Sequence, residues 1–102
     1  MKDKEITAVS RILVKWDPLG PRARFVEDLD DYKTKAVDIL SSIEFKPRMD
    51  SITIIVRDVL NQYFDLDLSL QDCKEPANEI SKVIRIFEIN NRNHRDNLVE
   101  IR

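Results

Sequence analysis

The chain has 102 residues, of which 42% are hydrophobic and 35% charged, enough for one domain with its own core and too few for two. With 17 basic and 19 acidic side chains the formal charge is −2, so the basic excess of a sequence-independent nucleic-acid binder is absent and nucleic acid is not the expected partner. Its longest apolar run is Ile54-Ile55-Val56, far short of the ~20 residues that span a membrane, so no membrane association is expected.

No apolar stretch follows Met1-Lys2-Asp3-Lys4-Glu5, which argues against a signal peptide. Cys73 is the lone cysteine, which excludes an intramolecular disulfide and leaves the cytoplasm as the expected compartment. Gly20 is the lone glycine, a composition that favours helices over glycine-turned hairpins.

Taken in chain order, Ile6, Val9, Leu13 and Trp16 recur at helical spacing and predict a first helix over 3–16. Pro18, Gly20 and Pro21 stop it and bar its resumption. Residues 21–28 read as a connector whose Phe25 and Val26 pack inward. A second helix is expected from Asp28 or Asp30 to Glu44, with Leu29, Tyr32, Ala36, Ile39, Leu40 and Ile43 as its apolar stripe. Its acidic start would complement the helix dipole, and Pro47 closes it.

Residues 50–64 carry two signals. Ile52 to Val56 is a β-branched run suited to a strand, yet the stripe Ile52, Ile55, Val56, Val59, Leu60 and Tyr63 outlasts a usual strand. Helix is the reading adopted, with Asp50 or Ser51 as N-cap. Asp65 to Leu70 alternates polar and apolar and reads as a connector with its leucines tucked inward. A last helix is expected to begin between Asp72 and Pro76, with Ala77, Ile80, Val83, Ile84 and Phe87 facing the core. Residues 91–102 read as a flexible tail, with room for a short extended segment at Leu98–Ile101. The fold class is therefore all-α, a compact bundle of about four helices.

Catalytic signals are sparse. Asp65, Asp67 and Ser69 open like a calcium loop, but Leu70 and Pro76 stand where glycine and a bidentate glutamate are required. His94, the lone histidine, lacks an orienting partner within the polar run 90–96, and no arginine precedes it at ribonuclease spacing. Cys73 could be activated near a helix start, although a lone cysteine is more often a small buried hydrophobe. The carboxylates pair freely, as they must in a chain with 19 of them. No catalytic, cofactor-binding or metal-binding residue is assigned, and no cofactor is expected.

The most specific string is Trp16-Asp17-Pro18-Leu19-Gly20. The indole is expected to anchor the end of the first helix in the core, with Asp17 bracing the turn. With its continuation Glu27-Asp28-Leu29-Asp30-Asp31-Tyr32, the string resembles short bacterial proteins of the YugE-like family, in which a helix ends on Trp-Asp-Pro-apolar-Gly before an acidic, tyrosine-bearing segment. Leu29 departs from that pattern, where an aromatic is common. The resemblance implies an all-helical fold and no particular activity. Proteins of this general look also occur as presumed immunity partners of bacterial toxins, a looser analogy.

Three functions remain open. The first is a non-enzymatic protein-binding module, of immunity or regulatory type, masking a basic partner with Asp17, Asp28, Asp30, Asp31, Tyr32, Asp65 and Asp67. The second is a carboxylate- and metal-dependent small hydrolase or nuclease. The third is a structural homo-oligomer, motivated by the surplus of Ile54, Leu66, Leu68, Ile86 and Ile89.

Overall fold

The computed structural model describes residues 3–27, 29–45 and 52–100, with side chains described as far as 43 in the second stretch and 88 in the third. Four α-helices carry the fold: α1 (Asp3–Trp16), α2 (Lys33–Phe45), α3 (Ile52–Phe64) and α4 (Leu70–Glu100). There is no strand among the described residues. Each helix packs on the next in chain order, and α4 closes the ring against α1.

The core is the sum of the stripes. Val9 and Leu13 of α1, Ala36 and Ile39 of α2, Val56 and Leu60 of α3, and Cys73 and Ile80 of α4 are all sealed from solvent. The β-branched run at 52–56 is helical because Ile52, Ile55 and Val56 all face this core, a spacing that a strand would split between two faces. Burial of one contiguous stripe outweighs the modest helix cost of branched side chains.

α1 ends on the Trp-Asp-Pro-Leu-Gly string. The Asp17 N–H donates to the Leu13 carbonyl at 2.8 Å, and Asp17 itself takes a left-handed φ of 53°. The Gly20 N–H then donates to the Asp17 carbonyl at 3.1 Å, and Gly20 holds φ 55°. A Cβ at Gly20 would meet nothing within 4 Å, so glycine is required there for its backbone angle alone. Gly20→Ala is expected to cost about 1 kcal/mol, read by urea unfolding. Trp16 sits at the rim of the core rather than inside it, half-buried and facing the start of α4.

Two expectations for this stretch are corrected here. Phe25 does not pack inward; it is 80% exposed. The cause is a 3₁₀ segment over Gly20–Phe25, whose period of three turns Ala23 and Val26 to the core and leaves Phe25 facing out. α2 does not begin at the acidic residues: Asp30, Asp31 and Tyr32 form a left-handed turn, with φ of 44°, 53° and 62°, and the α-helix starts at Lys33. The turn is tied to α1 by the Ser10 hydroxyl, which donates to the Asp31 carbonyl.

α4 begins earlier and ends later than expected. Ser69 and Asp72 form a reciprocal cap, the Ser69 N–H donating to Asp72 Oδ2 at 3.0 Å and the Asp72 N–H to Ser69 Oγ at 3.1 Å. The helix then passes through Pro76 and continues to Glu100, so residues 98–100 are helical rather than extended. At 31 residues it is about 46 Å long, which sets the 54 Å long axis of the molecule. No helix among the described residues is long and apolar enough to cross a membrane. Asp50, Ser51 and Pro47, expected at the ends of α2 and α3, lie outside the described residues.

Candidate functional site

Two connectors meet at the end of α3: residues 17–32, between α1 and α2, whose Arg22 and Tyr32 reach Phe64, and residues 65–69, between α3 and α4, which follow Phe64 directly. Together they hold seven acidic and two basic side chains, an excess of five negative charges in a chain whose total is −2. The rest of the sequence is thus net positive. Asp17, Asp30, Asp31, Asp65 and Asp67 all lie at this end and are all exposed. Asp28 belongs to the same connector but lies outside the described residues.

Tyr32 holds the end together from within. It is 3% exposed, so its ring is not offered to a partner as the sequence suggested. The hydroxyl donates to Asp17 Oδ1 at 3.3 Å and accepts from the Leu19 N–H at 3.4 Å. The ring meets Phe64 edge to face at 6.1 Å between centroids. Burial, and the negative charge of Asp17, raise the Tyr32 pKa against the opposing pull of the Leu19 N–H. The Trp-Asp-Pro-Leu-Gly string and the acidic tyrosine segment are therefore one unit in space.

The second connector is fixed by Asn61 on α3. Its amide nitrogen donates to the Leu68 carbonyl at 3.1 Å and its oxygen accepts from the Leu68 N–H at 2.9 Å. Leu66 and Leu68 then pack against the core, as their alternation implied.

Between the connectors lies a half-open groove of about 550 Å³, bounded by the first connector, the start of α2 and the end of α3. Leu19, Val26, Leu29 and Phe64 give it an apolar lining. Its two cations are already engaged. Arg22 Nη2 donates to the Phe64 carbonyl at 3.1 Å, satisfying a C-terminal carbonyl of α3. Lys35 Nζ stands 3.2 Å from the centroid of the Tyr63 ring and 3.6 Å from Asp38. Its two carboxylates, Glu27 and Asp65, form no ion pair among the described residues. Tyr63, 57% exposed, stands beside them. Only Asp65 of these groove residues was among the sequence candidates. The others come from four separate stretches of chain, and no spacing rule joins them.

Cys73 is sealed from solvent, and burial pushes its thiol up to about 11. It is expected to resist thiol-labelling reagents at pH 8 until the chain is unfolded, with complete labelling in denaturant. Because the folded protein holds this proton more tightly than the unfolded chain, stability should be full below pH 9 and fall as pH rises toward 11. Denaturant midpoints at pH 8, 9, 10 and 11 check this, with Cys73→Ala removing part of the fall. Among the described residues no three His, Cys, Asp or Glu side chains are grouped to hold a metal ion. The His94 side chain lies outside them.

Compared with known protein families, with curated proteins and with solved structures, the chain matches none.

Proposed function

We propose that this protein is a binding module for another protein, and that the end formed by residues 17–32 and 65–69 is its recognition surface. The observation that carries this reading is the pairing of an acidic excess with exposed aromatics on a braced scaffold. Phe25, on the first connector, is 80% exposed and Tyr63, at the end of α3, 57%, and the two connectors are fixed by Tyr32 and Asn61 rather than loose. Large exposed aromatics are the side chains that most often anchor protein interfaces. Carboxylates around them speed and select association with a basic partner. An immunity or regulatory protein that masks a basic surface fits this description.

Capture from native lysate tests it, with the wild-type protein and the Asp30→Asn/Asp31→Asn/Asp67→Asn variant as baits at low and high salt. The expected result is one stoichiometric basic partner, retained at low salt by the wild type and released by salt or by the triple substitution. Capture that ignores both would defeat the reading.

A second reading, self-association, rests on Ile54 and Leu70, which are 41% and 45% exposed and line a common groove. Of the other apolar surplus, Ile86 is 56% exposed, Leu66 and Leu68 pack against the core, and the Ile89 side chain lies outside the described residues. Sedimentation equilibrium at micromolar concentration separates the two: a dimer that Ile54→Glu dissociates supports self-association, and a monomer removes it.

A further inference from the structure

We infer that the groove between the first connector and the α2–α3 corner receives a basic–apolar segment of the partner, one arginine or lysine side chain lying between Glu27 and Asp65. This rests on the binding-module reading and names the place and the chemistry. Four charged side chains line the groove; Lys35 is paired with Asp38 and lies over the Tyr63 ring, and Arg22 donates to the Phe64 carbonyl, which leaves one cation without an ion pair against two carboxylates. The two negative ones are exposed and form no ion pair among the described residues. A guest side chain therefore meets two uncommitted carboxylates and, between them, apolar surface from Val26, Leu29 and Phe64.

An acidic guest would meet two like charges, Glu27 and Asp65, against the one groove cation, Arg22, that is not in an ion pair among the described residues. A purely apolar guest would leave both carboxylates partly desolvated and unpaired, which is costly. A guest with a cation flanked by aliphatic groups satisfies every group present. At about 550 Å³ the groove is within the ~300–1,000 Å³ range of ligand pockets, room for two or three side chains rather than a folded surface. The exposed Tyr63 ring, already faced by Lys35, offers its outer edge to the apolar part of the same segment.

Amide chemical-shift mapping on the intact ¹⁵N-labelled protein tests this, using the probe peptides acetyl-Leu-Arg-Leu-Leu-Arg-amide and acetyl-Leu-Glu-Leu-Leu-Glu-amide. The arginine peptide is expected to shift Val26, Leu29, Lys35 and Phe64, and the glutamate peptide to leave them unmoved. Glu27→Gln/Asp65→Asn, which keeps both shapes, should weaken the arginine peptide about fivefold or more, with the dispersed spectrum showing that the variant is folded. Shifts confined to Asp30, Asp31 and Asp67 would overturn the groove while leaving the acidic end as a recognition surface. Equal shifts from both peptides would overturn the charge argument, and no shifts at all would overturn the inference outright. In that last case the capture experiment decides the broader reading on its own.

Discussion

Tyr32→Ala is expected to cost about 4 kcal/mol of unfolding free energy, the largest effect of any single substitution outside the main helix stripes. The ring is almost wholly buried, packs on Phe64, and stands in a left-handed conformation that a bulky residue rarely adopts. Such a conformation costs about 1–2 kcal/mol per residue and persists only where the surroundings compel it. Here the ring packing compels it, and truncation removes that while leaving the strained backbone behind. Tyr32→Phe keeps the ring and loses only the bridge between Asp17 and the Leu19 N–H, so about 1 kcal/mol is expected. Urea unfolding of the two variants separates packing from hydrogen bonding. Equal losses would show that the hydroxyl, not the ring, holds this end.

Asn61→Ala is expected to cost about 2 kcal/mol, because it strips partners from both the N–H and the carbonyl of Leu68 at once. The effect has an address as well as a size. Hydrogen exchange at Leu68 should accelerate strongly, whereas amides in the middle of α1 should change only as far as global stability falls. Since the same connector carries Asp65 and Asp67, the variant should also bind a basic partner more weakly without touching either carboxylate.

The sequence was most informative where burial is one-sided. The stripes of α1 and α3 gave their extents closely, and Leu66 and Leu68 were placed correctly from alternation alone. Phe25 went wrong because hydrophobicity says nothing about direction in a segment whose period is three. The left-handed turn at 30–32 was hidden for a different reason: acidic residues before an apolar stripe are also what a helix N-terminus looks like. Aspartate tolerates both settings, and only the ring of Tyr32, held by groups far along the chain, selects the turn. The start of α4 is legible in Ser69-Leu70-Gln71-Asp72, a capping pattern that lies just ahead of the expected start between Asp72 and Pro76. Its length was legible too, since no glycine or proline follows Pro76 to interrupt it. The polar run over 90–96 is helical all the same, so the loss of apolar periodicity does not mark the end of the helix.

The acidic candidates are scattered letters in the sequence, and the packing of both connectors at the end of α3 is what gathers them. The groove was not legible at all. Arg22, Glu27, Lys35, Tyr63 and Asp65 converge only because Tyr32 draws the first connector down onto the end of α3.

The recognition surface is tested most directly by Phe25→Ala, a change that should leave the fold alone because the ring is four-fifths exposed. Capture from native lysate would be quantified for both proteins beside their melting curves. The account predicts coincident melts and at least a tenfold loss of one captured basic protein with Phe25→Ala, the loss expected of an interface anchor. An identical captured set for the two folded baits, or nothing enriched by the wild type, would contradict it.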